Sequence, residues 1–404
     1  MSNNLPADPD LEALVRKLNA AARVTDPPPA SDPAPAPRAH WSLPHSLPGP
    51  REDLARLLER ARAANASDLL LVAGAPPTVR INGRIFPLTE EPLSPLDTAA
   101  LCSALVPRER RDGLATAGSL DFSFSVPQAG AFRCNVHRER GHWSAAIRLF
   151  PLATPDLDQL NLPPALDRFA DLEHGLVLVT GPTGSGKTTT LAALMKRILS
   201  RRPVHVITIE DPVEYEHPHG PSVVEHVEIG RDATSFAHAL RAALRQDPDV
   251  LLVGEMRDRE SISITVTAAE TGHLVLSTLH TGDAVQTVSR ILDTYPAGQI
   301  EAVRAQLAAS LAGIVSQQLL PRPDGAGRVP AVEILWGTHG VRNLIRQGKL
   351  ERLRAQIGLE QAAGMLSLDQ SLALLVSRGL VSPEEARARA RDTKEFEAQL
   401  GTFR

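Results

Sequence analysis

Residues Gly181-Pro182-Thr183-Gly184-Ser185-Gly186-Lys187-Thr188 match the phosphate-loop pattern GxxxxGK(S/T). They follow an apolar run, Gly175 to Thr180, and open a stretch of helical character from about Lys187 to Ser200. No other segment constrains the fold as much. The glycines let the backbone wrap an anion with its N–H groups inward, and a buried strand must deliver the loop to a helix whose positive end faces phosphate. Lys187 then neutralises terminal phosphates and the Thr188 hydroxyl ligates Mg²⁺. A nucleotide site follows, with Gly181, Pro182, Thr183, Gly184, Ser185, Gly186, Lys187, Thr188 and Thr189 as its binding residues.

The sequence around the loop extends this reading. Val204 to Ile209, Val250 to Val253 and His273 to Thr278 are further apolar strand candidates, with a helix expected over Ser235 to Arg245. Such alternation specifies a parallel sheet covered on both faces, an α/β class of core. Hydrolysis needs carboxylates that orient Mg²⁺ and a water. Two candidates end strands: Glu210 with Asp211, and Glu255. Glu255 stands after a strand of Walker B type in which Gly254 replaces the usual aspartate, which shifts metal and water positioning onto Glu210. Helix capping or ion pairing is the alternative role for each. His273 and His280 flank the fourth strand, where a histidine beside the γ-phosphate senses hydrolysis; a structural role is the alternative. His217, His219 and His226 cluster without a metal pattern, and Pro218 and Gly220 mark a loop, so they are expected to be solvated.

Composition excludes several classes. With 43 Lys+Arg against 47 Asp+Glu the net charge is −4, which argues against nucleic acid as a partner. Cys102 and Cys134 are the only cysteines, too few for a disulfide framework or a four-cysteine zinc module. No apolar run reaches about 18 residues and Met1 to Asp10 lacks the pattern of a signal peptide, so a soluble cytoplasmic protein is expected. Of 33 prolines, 11 fall in residues 1–50, which reads as a disordered, extended segment. Leu11, Leu14, Val15, Leu18 and Ala22 suggest a short helix over residues 10–23 within it, either a docking helix or a frayed one. Residues 51–150 read as a small α+β domain, 151–165 as a linker, 166–295 as the α/β core, and 296–404 as nearly all helix.

Four segments together carry a family resemblance: the phosphate loop with its strand, Ile207 to Glu214, Leu244 to Asp258, and Thr271-Gly272-His273 to His280-Thr281. They resemble the hexameric ATPases that drive type II secretion and type IV pili. Ala268 to His273, Val341 to Arg346 and Gly364 to Leu372 are most similar to the PilT-type retraction motors. The resemblance implies a RecA-like P-loop core, a PAS-like N-terminal domain, a helical C-terminal region and a homo-hexamer with ATP between subunits. It implies Glu255 as catalytic base, Glu210 and Thr188 as positioners of Mg²⁺, and His273 and His280 as couplers of the γ-phosphate to domain movement. Arg133, Arg140 and Arg148 occupy the stretch that brings arginines to the nucleotide; a surface salt bridge is the alternative role for each. The implied partner is a platform protein of the inner membrane, the only route of membrane contact, with the motor at the inner face of that membrane. A pilus-assembly or type II secretion ATPase and a non-catalytic ATP-binding regulator are the alternatives. Assembly and secretion members usually carry a four-cysteine module, and this chain has no cysteine after Cys134. It departs from the family in its proline-rich start and in His226-Val227-Glu228, where relatives often read Gln-Arg-Glu.

Overall fold

Two sheets divide the chain. The computed structural model describes residues 41–42 and 50–402, apart from 82, 107–109, 127–128 and 326. Nearly all of the proline-rich segment, with the helix expected over residues 10–23, lies outside the described residues.

The first sheet runs β1-β5-β6-β7-β2-β3-β4. Its strands are Trp41–Ser42 (β1), Asp68–Leu71 (β2), Thr78–Ile81 (β3), Arg84–Pro87 (β4), Ser119–Val126 (β5), Gly130–Glu139 (β6) and His142–Leu149 (β7). Along β6 the buried residues Phe132, Cys134 and Val136 alternate with more exposed ones, as expected for a sheet with one covered face. The cover is helical: Pro50–Ala63 (α1) and Pro95–Leu105 (α2), followed by the short Arg111–Ala117 (α3). Helix α2 starts where Ser94 and Asp97 satisfy each other's backbone N–H groups, with Pro95 preset in the first turn. Leu54, Leu58, Phe122, Phe124 and Phe132 form a core here that is separate from the core of the second sheet.

The second sheet runs β10-β9-β11-β12-β8-β13-β14. It comprises Gly175–Thr180 (β8), His205–Glu210 (β9), Val223–Glu228 (β10), Val250–Val253 (β11), Leu274–Leu279 (β12), Leu311–Pro321 (β13) and Arg328–Trp336 (β14). Every pairing is parallel except β13 with β14. Strands β8, β11 and β12 are buried at every position, which is why they read as unbroken apolar runs. Lys187–Arg201 (α4), Phe236–Ala243 (α5), Arg259–Glu270 (α6), Ala284–Leu292 (α7) and Ile300–Ser310 (α8) connect them. Ser235, Asp258 and Asp283 cap three of these helices with side-chain oxygens.

The expectation of nearly continuous helix after residue 296 is corrected. Strands β13 and β14 extend the sheet to Trp336, and helix predominates only from His339–Arg346 (α9) through Leu353–Leu359 (α10), Leu368–Ser377 (α11), Pro383–Arg389 (α12) and Thr393–Thr402 (α13). Both faces of β13 and β14 are largely covered, so their sequences lack the period-two alternation that marks a strand, and a short apolar run without it reads equally as buried helix.

Candidate active site

The registers Thr180 with Leu279, Ser277 with Val253, and Val253 with Ile209 set the ends of β8, β12, β11 and β9 side by side. The phosphate loop, His280, Glu255 and Glu210 therefore emerge along one edge, the carboxyl edge at which open α/β sheets hold ligands. A cleft of about 650 Å³ opens there, lined by most of the phosphate loop, by Glu210, Glu214, Glu255 and His280, and by Asp68 and Arg148 from the first sheet. That volume suits a small-molecule ligand.

Gly181, Gly184 and Gly186 take φ values of 146°, 78° and 88°, a region that side chains disfavour. Lys187 Nζ donates to the carbonyls of Gly181 at 2.9 Å and Pro182 at 3.1 Å. Burial lowers its pKa, opposed by the charges of Glu255 and Glu214. The Thr188 hydroxyl stands near enough to the Glu214 side chain to lower its pKa, and Thr189 Oγ1 lies 3.1 Å from the Tyr215 hydroxyl.

Glu210 is buried at the end of β9. Desolvation pushes its carboxyl up to about 8, with the charges of Glu214 and Glu228 adding to the shift. Glu228 faces it across the β9–β10 register and leaves Oε1 without a hydrogen-bond partner. Burial raises Glu214 as well, while Arg148 and Arg133 pull it down. A Cβ at Gly254 would stand 3.3 Å from the Ile209 carbonyl oxygen and 3.4 Å from Glu210 Cα. Glycine thus lets the end of β11 lie against Glu210, where an aspartate would crowd in another carboxylate. Glu255 takes His280 Nε2 at 3.3 Å and pairs with Arg257.

Among the described residues no three His, Cys, Asp or Glu side chains converge to hold a metal ion. What the cleft offers is the Thr188 hydroxyl beside the buried carboxyl of Glu210 and the half-buried ones of Glu214 and Glu255, all hard oxygen donors. This set fits Mg²⁺, which keeps few protein ligands and takes the rest from phosphate and water.

Not every expected residue reaches the cleft. Arg148 lines it and Arg133, its register partner on β6, stands near enough to act on Glu214. Arg140 sits at the tip of the β6–β7 hairpin, exposed and beside Glu139. About seven strand residues, roughly 20 Å, separate it from Arg133, so a single chain does not bring it to this site. His273 is also corrected: it precedes β12 while the phosphate loop follows β8, so the six residues of β12, roughly 20 Å, part it from His280. Its Nδ1 lies 2.9 Å from the Ala268 carbonyl oxygen instead. Position beside a strand did not tell which end of the strand faces the phosphates.

Of the clustered histidines, His219 is exposed as expected, whereas His217 and His226 are not solvated. His217 is buried, its ring stacks on His226 at 5.9 Å between centroids, and its N–H donates to His226 Nε2 at 3.1 Å. Sequence reasoning passed over Glu214, Tyr215 and Gln317. Glu214 closes the acidic segment Ile207 to Glu214 and Tyr215 follows it directly, while Gln317 is a polar residue inside the apolar run of β13.

The pattern of the family described as Type II/IV secretion system protein matches residues 141–378. A Pseudomonas aeruginosa protein named Type IV pilus retractation ATPase PilT is 41% identical over 344 residues, 85% of this chain and 100% of the relative. A Neisseria gonorrhoeae Twitching motility protein is 42% identical over 323 residues, 80% of this chain and 86% of the relative. The crystal structure of the pilus retraction motor PilT with bound ADP superposes with a TM-score of 0.79 and 44% identity, covering 85% of this chain and 98% of that one. With a RecA-like sheet, a phosphate loop at its carboxyl edge and relatives of this identity over most of its length, the chain belongs to the Type II/IV secretion system protein family, in its PilT-type branch, and is an ATPase.

Proposed function

We propose that this ATPase is a mechanical motor that powers type IV pilus retraction. In this reading it works as a homo-hexamer in the cytoplasm, at the inner face of the membrane, and acts on a platform protein of that membrane. The observation that carries it is the composition of the cleft. The phosphate loop, Glu255 and His280 come from one sheet and Arg148 from another with its own core, so a change of phosphate charge bears on two bodies at once. The names of the PilT-type relatives support retraction as the output.

In the proposed mechanism, Lys187 and the loop N–H groups hold the phosphates of ATP. Glu255 accepts the proton of a water that attacks the γ-phosphorus in line with the bond to the leaving ADP, which breaks as the new bond forms. His280 orients that carboxylate and registers the γ-phosphate. Thr188 and Glu210 would hold Mg²⁺, which when bound neutralises charge on the phosphate oxygens. Arg148 and Arg133 contact phosphate from the first sheet, a task suited to the permanently charged, forked guanidinium. Loss of phosphate contacts then lets the two bodies part, and the displacement is passed to the platform protein.

The piliation of cells lacking the gene tests the direction of force. Retraction predicts excess pili that do not shorten, together with lost twitching motility; bare cells would contradict it and point to assembly.

A further inference from the structure

The phosphate loop rests on a side chain outside the motif. Strand β13 runs parallel to β8 with Ser316 opposite Thr180, so Gln317 lies where β8 turns into the loop. Gln317 is only 5% exposed. Its Nε2 donates to the Ser185 carbonyl at 2.6 Å and its Oε1 accepts from the Thr190 hydroxyl at 2.8 Å. A Cβ on Gly181 would stand 2.2 Å from the Gln317 carbonyl oxygen, and one on Gly186 would stand 2.7 Å from Gln317 Nε2. The loop's start, crest and first helical turn therefore all pack on this residue.

We propose that Gln317 is a positioning residue for nucleotide binding: by holding the Ser185 carbonyl behind the loop it aims the Gly186 N–H forward, at phosphate. In a trans, planar peptide the carbonyl and the following N–H point in opposite directions. Fixing one fixes the other. The Thr190 hydroxyl, by donating to Oε1, leaves the amide NH₂ as the end that faces Ser185. A preset donor array binds an anion without reorganising when the anion arrives. The geometry also accounts for Gly181 and Gly186 by contact with Gln317, in addition to their backbone angles. The inference concerns nucleotide binding and does not depend on what the motor moves.

The test uses the full chain and a fluorescent ATP analogue with Mg²⁺, with the ATP dependence of turnover measured in parallel. In Gln317→Glu the Oε1 contact to Thr190 is retained, but a carboxylate oxygen meets the Ser185 carbonyl. Gln317→Leu keeps approximate size and removes both bonds. Each is expected to weaken analogue binding and raise KM about tenfold or more, the scale of a lost buried hydrogen bond, with kcat changed less than about threefold. Thr190→Val frees the amide to rotate and should weaken binding by a smaller factor. A purely structural role would lower the melting temperature and leave Kd and KM of the folded protein unchanged, and that result would overturn the proposal. Should the Gln317 variants not fold, unchanged affinity in Thr190→Val overturns it equally. Lys187→Ala is the control, since retained binding there would instead refute the phosphate-loop reading.

Discussion

His217 and His226 are neutral by construction. His226 Nε2 accepts the His217 N–H, and its Nδ1 lies 2.9 Å from Thr208 Oγ1, so the ring proton sits on Nδ1. Burial pushes His217 down to about 4, with the His226 charge adding to the effect, and burial lowers His226 too. The unfolded chain protonates these rings near 6.5. Both shifts are downward, so the stability they contribute is present above pH 6.5 and is lost as pH falls toward 4. For His217 the complete loss is about 3 kcal/mol. His219, Glu216 and Arg231 surround the pair and His219 Nδ1 accepts from the Val224 N–H at 3.2 Å. The denaturation midpoint of the full chain should fall between pH 6.5 and 4.5, and fall less steeply in His217→Gln; parallel pH profiles would contradict this account. None of it was legible in the sequence. Pro218 and Gly220 announce a loop, but whether a loop folds under a neighbouring strand is decided by tertiary packing.

At the scale of elements, what was legible divides by how much the sequence is forced. The fully buried strand before the phosphate loop has no other reading once the glycine turn and the helix follow it. Strands β13 and β14 carry no such punctuation and read as helix, which hides Gln317 with them. The last helices are tied to this part of the sheet by Arg391, which pairs with Glu333 on β14 and donates to the Gly282 carbonyl at 2.5 Å. Gly282 lies two residues after His280. Glu333 is 3% exposed, and burial raises its carboxyl against the opposing charge of Arg391. Removing one partner of a buried pair leaves the other uncompensated, which costs about 3 kcal/mol. Arg391→Met should therefore lower unfolding stability in urea by about that amount, with Arg391→Lys recovering part of it; a loss under about 0.5 kcal/mol would show the pair to be incidental.

For the molecule as a whole, the class of fold and the edge of the sheet that holds nucleotide were readable from one motif and its neighbours. That Glu210, Glu255 and His280 share one edge is readable because a parallel sheet brings strand ends together. His273 and Arg140 failed because sequence adjacency to a strand or a hairpin does not say which end approaches the phosphates. Gly254 shows the reverse case: its departure from the usual aspartate, noted as a loss, is explained by the approach of Glu210. Glu255 is proposed as the base in a cleft that both binds and hydrolyses ATP. Nucleotide binding and Mg²⁺-dependent turnover, measured side by side on the full chain and its Glu255→Gln variant, test it most directly. With Glu255 as the base, binding stays within about threefold while turnover falls by about a hundredfold or more. Turnover left unchanged in Glu255→Gln would contradict it.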